Sequence, residues 1–229
     1  MKLIYKGHKT KQGSVERFIF APEKPIMWKA GQFIHYTIPH DNADDRGDER
    51  WFTISSAPFE NEIWLTTRIN PDKSSSFKKK LLNIKPDDII ETDEPDGSFV
   101  IEDTSKKYIF VAGGIGITPF RSIINQLHHN KNEFNIELLY ANRDSENIPF
   151  KDELESISKE HESFNITYFS GDKKIDESVL REFGAKLGDP IYYVSGPEPM
   201  VEAFKELLVN MGIKEDRMKF DYFPGYETE

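Results

Sequence analysis

The 229-residue chain has no cysteine. That excludes disulfides, thiolate ligation of an iron–sulfur cluster and a cysteine nucleophile together. Positive charge is also short: 30 Lys and Arg stand against 40 Asp and Glu, a formal net charge of −10. General nucleic-acid binding depends on neutralising phosphates and is not expected of such a chain. Long apolar runs are missing. No stretch approaches the roughly 20 residues that span a bilayer, and the first residues carry no secretory apolar core. We therefore expect a cytoplasmic protein without membrane insertion. Six histidines are scattered without metal-ligand spacing, and His128-His129 reads as a solvated pair, so no metal site is expected.

What is present is a globular composition, 37% hydrophobic and 13% aromatic, enough for one large or two small cores. The first hundred residues read as short strands between turn signals: Leu3–His8, Val15–Ala21, Phe33–Ile38, Trp51–Ser55, Ile63–Ile69 and Asp88–Thr92. That spacing suits a small antiparallel barrel. A short helix is expected after Ser74–Ser76, through Phe77–Leu82. The acid-rich loop Asp41–Glu49 should be exposed and mobile, and Lys6–Gly13 should form an exposed hairpin. After Glu102–Lys106 the rhythm changes. Strand candidates at Tyr108–Ala112, Ile136–Tyr140, Ile166–Phe169, Ile191–Ser195 and Met218–Asp221 alternate with helical stretches at Pro119–His128, Phe150–His161, Glu177–Phe183 and Pro199–Met211. Such alternation argues for a parallel sheet covered on both faces. The expected architecture is thus two-domain: an N-terminal six-stranded antiparallel β-barrel over 1–103, then a C-terminal Rossmann-like α/β sheet over 104–229.

Within that second part, Tyr108-Ile-Phe-Val-Ala-Gly-Gly-Ile-Gly-Ile-Thr-Pro-Phe120 is an apolar strand that breaks into a glycine turn and restarts as a helix. Gly113, Gly114 and Gly116 let the backbone turn sharply and approach a ligand. Thr118 is placed to cap the helix and Pro119 to begin it. The free amides and positive dipole end of such a helix suit a pyrophosphate. An ordinary strand-to-helix turn has the same look, since Pro119 replaces the last glycine of the usual dinucleotide fingerprint.

Other segments add to this one. Arg50-Trp-Phe-Thr-Ile-Ser-Ser56 resembles the flavin-binding signature Arg-x-Tyr-Ser/Thr of the ferredoxin–NADP(+) reductase superfamily. In that family's order Gly31-Gln32-Phe33 comes before it, and Ser74–Phe77, Pro95–Phe99, the glycine turn, Leu139–Arg143, Ser195-Gly-Pro-Glu-Pro-Met200 and Asp221–Tyr226 come after it. The resemblance spans nearly the whole chain. It implies an FAD-binding barrel, with FAD rather than FMN, and a second domain that takes NADPH or NADH. Hydride would pass from nicotinamide to flavin, and electrons onward to a separate acceptor protein, a free flavin or a ferric chelate. The alternatives are a subunit active only when docked to a partner enzyme, and a flavin-free scaffold that senses nucleotides.

The resemblance also implies roles for single residues. Arg50 would grip the flavin phosphates; otherwise it forms a salt bridge to the preceding acidic loop. Trp51 adjoins that grip. Phe52 stands in place of the tyrosine whose ring lies on the isoalloxazine, and lacks its hydroxyl. Thr53 would place a hydroxyl beside flavin N5. Thr67 and Arg68 lie on the strand that runs alongside the flavin. Ser74, Ser75 and Ser76 would hold the diphosphate or cap the short helix, with Ser75 aligning best. Gly114, Gly116 and Thr118 would hold the pyrophosphate of the nicotinamide nucleotide. Ser195 replaces a cysteine facing the nicotinamide. Asp221 matches a conserved-position acid of the family, and Phe223 the aromatic cover over the flavin, with Tyr222 and Tyr226 as alternatives. Ser170, followed by Asp172 and aided by Lys173, Lys174 and Arg143, stands where a 2′-phosphate is read, and the balance leans to NADPH. Lys78-Lys79-Lys80 is expected to be a solvated face rather than a docking patch.

Overall fold

The computed structural model describes residues 1–10, 13–70 and 72–223. Its first six strands are β1 (Lys2–Thr10), β2 (Val15–Pro22), β3 (Phe33–Thr37), β4 (Glu49–Thr53), β5 (Ile63–Arg68) and β6 (Ile89–Thr92). They pair antiparallel in the order β4-β3-β6-β1-β2-β5, and a bridge between Ile54 and Leu65 brings the two edges together. Alternation builds the interior: Leu3, Tyr5, Phe18, Phe20, Ile34 and Tyr36 all turn inward and are fully buried. The short helix α1 (Ser76–Leu81) adds Phe77 and Leu81 to the same core. Its Lys78 is buried as well, correcting the expectation of a solvated lysine face. Three-residue spacing puts Lys78 on the side of Leu81, and only Lys79 and Lys80 are exposed.

The remaining elements alternate: β7 (Lys107–Gly113), α2 (Thr118–His129), β8 (Asn135–Ala141), α3 (Lys151–Glu160), β9 (Phe164–Phe169), α4 (Glu177–Leu187), β10 (Ile191–Pro197), α5 (Glu198–Asn210) and β11 (Met218–Phe223). The five strands are parallel in the order β11-β10-β7-β8-β9. Along β7, Tyr108 and Phe110 pack towards α2 and α3, while Ile109 and Val111 pack towards α4 and α5. A strand buried on both faces reads as a continuous apolar run, as Tyr108–Ala112 does. The chain leaves β7 for β8 and β9 on one side and returns to β10 on the other. That reversal opens a crevice at the C-terminal ends of β7 and β10.

One buried cation ties the two sheets together. Arg121 on α2 donates to the carboxylates of Glu60 and Glu153 and to the Ser55 carbonyl at 3.0 Å. Its guanidinium carbon lies 4.5 Å from the centre of the Trp64 ring, and that of Arg17 lies 4.1 Å from the same ring. Ser122 Oγ donates to the Ser56 carbonyl at 2.6 Å. The segment that closes the Arg50–Ser56 motif is thereby hydrogen-bonded to the first turn of α2. Burial, then the neighbouring Arg121, pulls Arg17 down to about 10.

The loop over residues 41–49 is exposed, as expected, but it is anchored rather than loose. Asp44 accepts from Arg50 and from the backbone of Ser76. The Lys6–Gly13 hairpin forms with an exposed outer end, its residues 11 and 12 lying outside the described residues. Tyr226 also lies outside them. Among the described residues no helix is long and apolar enough to cross a membrane.

Candidate active site

Three side chains from distant parts of the chain meet where the two sheets adjoin. Thr53 ends β4. Ser195 stands near the end of β10, in register with Asp221 on β11 and with Ala112 on β7. The hydroxyls of Thr53 and Ser195 both donate to Asp221 Oδ2, each at 3.5 Å, the long end of hydrogen-bond range. Both hydroxyl residues are buried. Asp221 keeps some exposure as a residue, but its carboxyl is enclosed by packed atoms. That desolvation pushes it up to about 7, against the opposing pull of the Ser195 and Thr53 hydrogen bonds. Such a group can hold or release a proton near neutral pH.

The glycine turn lies beside this cluster, at the end of β7. Three glycines were expected to clear space for a ligand, and only one does so. A Cβ on Gly116 would meet the Ser195 carbonyl oxygen at 2.3 Å, and one on Gly113 would meet the Met200 sulfur at 2.3 Å. Those two glycines let the β7 turn press against the Ser195–Met200 turn. Gly114, at φ +53, has open space around it. Thr118 is not the cap. A 3₁₀ turn over Gly114–Ile117 runs straight into α2, so Thr118 is already helical and its hydroxyl donates to the Ile115 carbonyl at 3.1 Å. Pro119 is the second helical residue.

On the barrel side, Arg50 is 4% exposed and makes the salt bridge to the acidic loop. Its Nη1 donates to the carbonyls of Arg46 and Glu49 at 2.7 Å and of Gly47 at 3.1 Å, and its Nη2 donates to Asp44 Oδ1 at 2.6 Å. Arg50 Nε is buried and has no partner among the described residues. Asp44 Oδ2 accepts from the Ser76 amide at 2.9 Å, and Ser76 Oγ accepts from the Asp44 amide at 2.9 Å. His40 Nε2 reaches Ser76 Oγ at 2.9 Å. Some desolvation opposes it, but the Ser76 and Arg50 hydrogen bonds win and hold the Asp44 carboxyl down at about 2. Ser75 caps α1, accepting from the Lys78 amide, and Ser74 Oγ accepts from the Asn70 amide at 2.9 Å.

The other sequence candidates are placed as follows. Trp51 is 58% exposed, with its ring stacked 4.2 Å from that of His35. The Phe52 ring is in the barrel core, 5.9 Å from Tyr36 and 5.7 Å from Phe77. Thr67 is buried in β5, and Arg68 at its end is near enough to Tyr140 on β8, and to Asp144 on the loop just beyond it, to act on both electrostatically. Arg143 is exposed on that same loop. Ser170 directly follows β9, and its carbonyl accepts from the Lys173 amide at 3.3 Å. Phe223 pairs with Pro197 at the end of β11, beside the half-exposed Tyr222. Asp44, His40 and Arg121 were not anticipated from sequence. The signal for Asp44 was the acidic loop directly before Arg50; Arg121 carried none beyond its place on α2.

Comparison with known proteins bears on the fold. Residues 110–206 match the family model described as oxidoreductase NAD-binding domain. The chain is 34% identical over 194 residues to a flavohemoprotein of Candida albicans, covering 78% of this chain and 47% of that protein. It is 25% identical over 189 residues to the carnitine monooxygenase reductase subunit of Escherichia coli, covering 82% of this chain and 57% of that one. The chain spans about half the length of the curated relatives it matches. Among solved structures it is similar to the FAD/NAD-binding domain of nitric oxide dioxygenase from Vibrio cholerae, with a TM-score of 0.80 at 16% identity over 97% of this chain and 98% of that one. The ferredoxin–NADP+ reductase from Plasmodium falciparum gives a TM-score of 0.77 at 15% identity, over 97% and 95%. In motif order and in its two sheets the chain has the fold of these FAD/NAD-binding domains and ferredoxin–NADP(+) reductases, and in sequence it is similar to the flavohemoproteins.

Proposed function

We propose that this chain is an NAD(P)H-dependent flavin oxidoreductase, with a barrel over 1–103 that binds FAD and an α/β part over 104–229 that binds the nicotinamide nucleotide. Bound together, the two cofactors supply hydride transfer, and the flavin then serves a separate electron acceptor. The observation that carries the reading is the meeting of Thr53, Ser195 and Asp221 at the junction of the sheets. Two hydroxyls and a carboxyl poised near neutrality are gathered where the barrel faces the mouth of the parallel sheet, beside the switch-point crevice.

The residues present fit both groups. The Arg50 guanidinium and the Ser76 amide already hold an acid group between them, so their donor set is that of an anion site, and Arg50 Nε is a further buried donor. Gly114, with open space about a positive φ, lets a pyrophosphate approach the β7 turn. Thr53 would orient the flavin edge through its hydroxyl, Ser195 would line the nicotinamide side, and Asp221 would hold a proton at Oδ2 shared with both. Arg121 keeps the two sheets at a fixed spacing, so the reacting faces meet without a search. Phe223, or Tyr222 beside it at the end of β11, would cover the site.

The acceptor is proposed as a separate protein, a free flavin or a ferric chelate. The test is direct. Purified chain supplied with FAD should oxidise NADPH or NADH with ferricyanide as acceptor. Tight FAD binding without nucleotide oxidation would leave a flavoprotein inert on its own, and would overturn the reductase reading.

A further inference from the structure

The donors that the flavin reading assigns to a phosphate are occupied by the chain itself. Arg50 Nη2 and the Ser76 amide converge on the two oxygens of one carboxylate, Asp44, at 2.6 and 2.9 Å. The Arg46 amide donates to the same group at 3.1 Å. The other guanidinium nitrogen, Nη1, is spent on three backbone carbonyls of residues 46–49. Among the described residues, Nε has no partner. Charge points the same way. Residues 41–50 carry Asp41, Asp44, Asp45, Asp48 and Glu49 against Arg46 and Arg50, so the loop beside this cation is net negative.

We propose that Asp44 is an internal competitor for the flavin phosphate and sets how tightly, and how exchangeably, the chain holds its flavin. This rests on the flavin reading above. A phosphate that is to use Arg50 as a bidentate partner must displace the Asp44 carboxylate, because two anions on one fork repel each other unless a second cation is at hand. The displacement frees the Ser76 amide and hydroxyl, which then become available to the same phosphate. Asp44 thus lowers the affinity for any phosphate-bearing flavin while keeping Arg50 folded and neutralised without it. The chain would then release its flavin readily, as a protein that treats flavin as a passing substrate must.

Asp44→Asn tests this. It keeps the size and one acceptor, and removes the charge. Flavin fluorescence is titrated with the full chain and the variant, using FAD, FMN and riboflavin, with circular dichroism to check folding. The expected result is tighter binding of FAD and FMN in the variant, by about tenfold or more, with riboflavin unchanged because it carries no phosphate. Equal or weaker FAD binding by the folded variant, or riboflavin tightening in step with FAD, overturns the proposal while the flavin reading stands. Failure of both proteins to bind any flavin overturns the two together. A second measurement needs no variant. Adding FAD to the wild-type chain should speed amide hydrogen exchange across residues 41–49, as Asp44 leaves Ser76. Slower exchange there would contradict the displacement.

Discussion

Gly116 and Ser195 are pressed together: a Cβ on Gly116 would stand 2.3 Å from the Ser195 carbonyl oxygen and 2.7 Å from the Gly196 Cα. The obstacle is backbone on both sides, so the turn cannot yield as a flexible side chain would. This contact fixes the distance between the glycine turn of β7 and the end of β10, and therefore where the Ser195 hydroxyl sits.

Gly116→Ala should lower stability by roughly 1–3 kcal/mol or prevent folding, as an overpacked buried site does. Where the variant folds, nicotinamide-nucleotide oxidation should fall with it. Gly114→Ala has open space and faces only the cost of its positive φ, of order 1 kcal/mol. Urea denaturation of both variants checks the order; a Gly116→Ala protein as stable as wild type would contradict the packing.

Arg121→Ala should be the more damaging change. It strips a buried cation from two carboxylates, Glu60 and Glu153, and from the Ser55 carbonyl. Breaking a buried ion pair by removing one partner costs roughly 3–5 kcal/mol. Thermal or urea unfolding should show that loss, and a shift within about 0.5 kcal/mol of wild type would mean the junction does not depend on it.

The fold and the outline of the site were legible in the sequence because they rest on local patterns. Short strands between turn signals marked the barrel, and the alternation of strands such as Tyr108–Ala112 with helical stretches marked a parallel sheet covered on both faces. The placing of Thr53, Ser195 and Asp221 in one site came from motif order. What stayed hidden were meetings between residues far apart in sequence or in unpatterned loops. The glycines of the β7 turn looked like ligand clearances, yet Gly113 and Gly116 answer to Met200 and Ser195 some eighty residues away. Arg50 offered both a phosphate grip and a loop salt bridge. Only the coordinates show that the second is made, and with which acid.

Asp221 gives the chain a pH signature. Its folded value, pushed up to about 7, lies above the 3.8 of an unperturbed carboxyl. The folded state therefore binds more protons between those values, and this group's contribution to stability is full below pH 3.8 and is lost as pH rises towards 7. Asp221→Asn should flatten that part of the curve. Comparing urea midpoints at pH 5 and pH 8 in both proteins checks it. Asp44, held down at about 2, contributes the opposite slope only below pH 3.8, outside that window.

Nucleotide choice should favour NADPH, with Ser170 at the end of β9 and Lys173, Lys174 and Arg143 supplying charge against Asp172. Asp172→Ser should widen the preference. The measurement is kcat/KM for both nucleotides, where a tenfold ratio corresponds to about 1.4 kcal/mol. NADH favoured by that margin, and reversed by Asp172→Ser, would make Asp172 the selector instead.

Flavin and nicotinamide should meet at Thr53, Ser195 and Asp221. An anaerobic titration of the FAD-loaded chain with NADPH and NADH tests it most directly, with the visible flavin absorbance as readout. At least one nucleotide should bleach the flavin in the wild-type chain, about tenfold or more slowly when Thr53 and Ser195 are both replaced by alanine, with FAD still bound. Flavin that is held but bleached by neither nucleotide, or bleached equally fast in that double variant, would contradict it.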